Sequence, residues 1–94
     1  MASGTIKKPE KTSFAWHEIR TGITNGAVQS LSGYDEYLIQ LKTGSQVIGS
    51  AILTGNVACS VKFITSNNSQ VEAYYNGSGT WTVTSGYTAS LYGR

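Results

Sequence analysis

From Tyr37 onward apolar side chains alternate with polar ones, and short glycine-bearing stretches interrupt the alternation at regular intervals. That is the pattern of half-buried antiparallel strands joined by hairpins. Each loop can be tested by asking which residues it would set side by side, because a slip of one residue turns every side chain to the wrong face. A three-residue loop Thr54-Gly55-Asn56 faces Leu53 with Val57, Ala51 with Cys59, Gly49 with Val61 and Val47 with Phe63. A two-residue loop would instead set that row against Ala58, Ser60, Lys62 and Ile64. Loops of three at Thr43-Gly44-Ser45, Asn76-Gly77-Ser78 and Thr84-Ser85-Gly86 preserve the same face, and so does the longer connection after Thr65 if Phe63 pairs with Val71.

The pattern therefore predicts an all-β domain, an antiparallel meander of about six strands over 37–42, 46–53, 57–64, 70–75, 79–84 and 87–92. Six twisted strands either curl into a partly open barrel or split into a small sandwich. The stretch Thr65 to Ser69, without an apolar residue, is the expected corner. The shared face predicts a core of Tyr37, Ile39, Leu41, Val47, Leu53, Val57, Cys59, Val61, Phe63, Val71, Ala73, Trp81, Val83, Ala89 and Leu91, with Tyr75 and Tyr87 also turned inward. The opposite face is not clean, since Leu38, Ile48, Ile52, Ile64, Tyr74 and Tyr92 lie among its polar residues. Apolar side chains outside the core of so small a domain point to an interaction surface.

Before the meander the signal weakens. Residues 1–13 are charged and small, are interrupted by Pro9, and read as an extended, flexible N-terminal arm ahead of a single β domain over 14–94. Phe14 to Ile19 fits a strand or a short capped helix, and 20–33, with Gly22, Gly26 and Gly33, reads as loop with one short strand. This segment is expected to add a strand or to cover an open edge.

Charge changes the picture little. The formal +2 arises in the arm, where Lys7, Lys8 and Lys11 face only Glu10, and the remainder balances to zero. Arg20, Lys42, Lys62 and Arg94 are scattered, unlike the basic stripe of a nucleic-acid reader. No run approaches the roughly 20 apolar residues of a membrane-spanning helix, and MASGTIKKPEKTS has no apolar core of a signal peptide.

Candidate chemistry is equally sparse. His17 is the single histidine and has no orienting nucleophile near it in sequence, while the single Cys59 sits in the apolar row and reads as a small buried hydrophobe. Asp35 and Glu36 are adjacent and would point to opposite faces if extended. No cofactor and no metal is expected. A small hydrolase built on His17 or on acidic pairs is the weakest reading. Tyrosines outside the core are better candidates, because each joins a flat apolar ring to a polar tip. Tyr34, Tyr74 and Tyr92, with Leu38, Ile48 and Ile52, are the expected binding or subunit surface. A monomeric carbohydrate-binding module using these tyrosines is the principal alternative.

The basic start GTIKKPEKTSFAW and the Ser/Thr/Gly-rich domain ending in YTASLYGR resemble small tail-fibre, baseplate or head-decoration proteins of bacteriophages and prophages. The resemblance implies a non-enzymatic virion protein, made in the host cytoplasm. It also implies a homo-oligomer, with a trimer favoured, whose partners are itself, other virion proteins or host-surface glycans.

Overall fold

The computed structural model describes residues 15–94. They form seven strands, β1 His17–Ile23, β2 Glu36–Thr43, β3 Gln46–Thr54, β4 Cys59–Ile64, β5 Gln70–Tyr75, β6 Trp81–Val83 and β7 Thr88–Gly93. The arm expected over 1–13 lies outside the described residues. Two antiparallel sheets pack face to face as a sandwich, not as a closed barrel: one in the order β1-β7-β2-β3, the other β4-β5-β6. Of the two conformations open to residues 14–19, the described part of that segment takes the strand, in β1.

The expected hairpins fare differently, for reasons local to each turn. Between β4 and β5 the expected register holds, with Phe63 opposite Val71, Val61 opposite Ala73 and Cys59 opposite Tyr75. The Thr65–Ser69 stretch is the turn of that hairpin and not the corner of the sandwich. Between β2 and β3 the turn has two residues, because Gly44 takes a positive φ of 59° ahead of Ser45, and glycine suits that first position of a tight hairpin. A two-residue turn alone would reverse the faces. A bulge restores them: the register shifts between Leu41 and Lys42, so Leu41 pairs with Gly49 and Tyr37 with Leu53.

The β5–β6 loop is instead longer than expected, since the Asn76 side chain accepts from the amides of Ser78 and Thr80 and closes a wider turn. Tyr75 consequently pairs with Trp81 and Ala73 with Val83.

Two expected hairpins do not exist. After Thr54 the chain leaves the first sheet through residues 55–58 and starts the second, so β3 and β4 do not pair. After Val83 it turns at Thr84–Tyr87 and returns, placing β7 between β1 and β2. Alternation is blind to this choice, because a strand sends the same residues into the core from either layer.

Trp81, Tyr75, Tyr37, Ile39, Leu41, Ala89 and Leu91 are buried from opposing sheets, and Val61, Val71, Ala73 and Val83 fill between them. Leu53 and Cys59 pack at the margin of this cluster. Ile23 and Leu31 join it from the segment read as loop. Three expected core residues are exposed instead: Val47 at 44%, Val57 at 49% and Phe63 at 37%. The bulge turns Val47 to pair with Lys42 on the outer face and brings Ile48, expected on the surface, against the core. Val57 lies in the corner rather than in a strand, and Phe63 lies at the open rim.

One flank of the sandwich is closed by residues 26–29. Gly26 donates to the Trp81 carbonyl, Trp81 to Ala27 and Gln29 to Gly79, with a bridge from Val28 to Thr80. The indole of Trp81 also donates to the Gln29 carbonyl at 2.8 Å. The Tyr75 hydroxyl ties Leu31 to the corner loop, accepting from the Leu31 amide and donating to Asn56.

Ser90, on the outer side of β7, is 1% exposed, and its Oγ has no hydrogen-bond partner among the described residues. An unsatisfied buried hydroxyl is a cost. Ser90→Ala is therefore expected to leave stability unchanged or raise it by up to about 1 kcal/mol in urea unfolding; a loss above about 1 kcal/mol would mean the hydroxyl is paired in solution.

Candidate interaction surface

The opposite flank, formed by β3 and β4, is open. No hydrogen bond among the described residues joins the outer side of β3 to another element. The four sheet edges differ in how they are guarded. β1 carries His17, Glu18 and Arg20 and two register shifts, β4 carries Lys62, and β6 is three residues long and covered by 26–29. β3, QVIGSAILT, is nine residues with neither charge nor proline. Charges, prolines, bulges and short length are the usual protections of an edge, and beyond the bulge at Ile48 the stretch from Gly49 to Thr54 has none of them.

Apolar side chains line this flank from both layers. On the outer face of the first sheet, pairing sets Ile52 beside Leu38 and Leu38 beside Tyr92, a row across three strands that ends against Glu18 of β1. Ile52, on the edge, is 59% exposed. From the second sheet the Phe63 ring reaches across the rim to Gly49, so close that a Cβ there would fall 2.1 Å from the ring. Val57, in the corner before the start of β4, is exposed as well.

The structure thus brings together three of the six expected surface residues, Leu38, Ile52 and Tyr92, and separates the others. Ile48 packs inward. Tyr74 stands on the outer face of the second sheet, paired with Ser60 and Thr82. Tyr34 lies over Gly93, its ring stacked on His17 at 6.2 Å and edge-on to Tyr37 at 6.3 Å. Near it the Arg94 guanidinium lies 4.1 Å from the Trp16 ring centroid and 2.7 Å from a Glu36 carboxylate oxygen. These contacts hold one end of the sandwich together.

No protein family, curated protein or solved structure matches the chain. What the surface can do must be read from its own residues. His17 faces the Tyr34 ring, and burial pushes the half-buried Cys59 thiol up. Among the described residues no three His, Cys, Asp or Glu side chains gather where they could hold a metal ion, and no helix is long and apolar enough to cross a membrane.

Sequence reasoning missed Phe63 and Val57 as rim residues, because it placed both in a β3–β4 hairpin. The uncharged run from Gln46 to Thr54 was the available signal. Tyr87, expected to turn inward, does pack against the core, and part of its ring also reaches the surface. It is half-buried and lies between two shallow depressions of about 380 and 410 Å³. One is lined by Thr24, Asn25 and Ser85, the other by Ser66, Asn67 and Gln70, and neither lining contains a charged residue.

Proposed function

We propose that the chain is a non-enzymatic structural or receptor-binding module of a virion that assembles as a homo-oligomer. The observation that supports this reading is the concentration of exposed apolar side chains along one flank, contributed by both sheets. Such patches mark interaction surfaces, and in a domain this small a covered flank adds to a thin core. The resemblance of the chain's two ends to small phage virion proteins gives the setting. Light scattering on the protein at micromolar concentration tests the assembly: an oligomer is expected, and a stable monomer would overturn it.

A second reading is carbohydrate binding, favoured by the surroundings of Tyr87. A half-buried tyrosine between two depressions lined by hydroxyl and amide groups offers a ring for stacking and neutral partners for sugar hydroxyls. On this reading Tyr87→Ala removes binding on a glycan array while Tyr74→Ala does not; an array without hits would dispose of it.

A further inference from the structure

We propose that β3 is the assembly edge: two copies of the chain pair their β3 strands antiparallel across a two-fold axis, joining the first sheets into one continuous eight-stranded sheet. This rests on the homo-oligomer reading and names its interface. An edge strand carries a row of amide and carbonyl groups pointing away from its sheet, and another strand satisfies them. Of the four edges, β3 alone combines length with freedom from charge and proline.

The occupant is a second copy for two reasons. First, β3 is complementary to itself. Pairing centred on Ile52 sets Ala51 against Leu53 and Ser50 against Thr54 of the second copy, so inner-face residues meet inner-face residues, and no like charges meet. It also lays the most exposed apolar residue of the edge against its own counterpart, and the Tyr92-Leu38-Ile52 row runs on into the second copy. Second, the exposed apolar residues of this flank belong to both layers. A lone extended peptide would cover β3 and leave Phe63 and Val57 in water. A second sandwich presents its own β4 rim opposite them. A two-fold closes after two copies, so the unit is a dimer where the resemblance implies a trimer.

Sedimentation velocity on the wild type and on Ile52→Lys tests this. Ile52 is exposed, so the variant should fold with an unchanged circular dichroism spectrum, while two like charges meet at the axis. The dimer dissociation constant should rise at least ~100-fold. In a Cys59→Ser background, Ile52→Cys should give a disulfide-linked dimer on mild oxidation, whereas Thr82→Cys, on the other sheet, should not. A wild-type monomer would overturn both the oligomer reading and this interface. A wild-type trimer, a dimer indifferent to Ile52→Lys, or a dimer in which Ile52→Cys does not cross-link would overturn the interface and leave the oligomer reading standing. A wild-type monomer that binds an unrelated extended peptide at β3 would likewise overturn pairing between copies.

Discussion

Trp81→Ala should lose about 3–5 kcal/mol of folding stability, a large part of the roughly 5–15 kcal/mol that holds a domain of this kind together. The indole is fully buried, packs on Tyr75 at 5.0 Å between centroids, and donates to the Gln29 carbonyl. Removing it leaves a cavity on the inner face of β6 and strips a bond from the segment that closes one flank. Trp81→Phe separates the two effects, because a ring remains while the N–H donor is lost; it should cost about 1–2 kcal/mol. Urea unfolding followed by circular dichroism measures both. A Trp81→Ala protein within 1 kcal/mol of wild type would mean that residues 26–29 do not close the sandwich at this point.

Gly93→Ala should lower the melting temperature by about 10–20 °C, from an overpacking cost of about 2–3 kcal/mol. A Cβ at Gly93 would stand 2.4 Å from Tyr34 Cγ and 2.9 Å from its Cβ, atoms too near the backbone to swing away. The strand cannot retreat either, since Gly93 pairs with His17 on one side and Tyr37 on the other. Tyr34 must leave, and its stacking on His17 and edge contact with Tyr37 go with it. Gly49→Ala is the instructive contrast. Its nominal clash is closer, but the atoms met are the far end of the partly exposed Phe63 ring, which can turn outward. The lower chain entropy of alanine offsets part of that cost, and the shift should stay within about 5 °C. Calorimetry that ranked Gly49→Ala as the more damaging substitution would contradict this account of which side chains can move.

These outcomes depend on where the two kinds of information part. Alternation along the chain determined that Tyr37, Ile39, Leu41, Val61, Val71, Ala73, Trp81, Val83, Ala89 and Leu91 turn to one dry layer, and all ten are buried. It did so because side-chain direction in a strand has a period of two residues, whatever the strand pairs with. Turn chemistry shifted two registers by an even step and left the buried set largely intact. The exception is the bulge that exchanged Val47 and Ile48. Of the candidate surface, the row of Leu38, Ile52 and Tyr92 was legible for the same reason, as apolar residues on the wrong side of the alternation.

Which strands are neighbours was decided by the tertiary structure alone. Nothing in the alternation distinguishes a hairpin in one sheet from a step across to the other, since both deliver Leu53 and Cys59, or Val83 and Ala89, to the same core. That choice moved β7 to the middle of the first sheet and left β3 at its edge. It turned an uncharged strand, unremarkable between two neighbours, into an open edge whose outward backbone groups have no partner among the described residues.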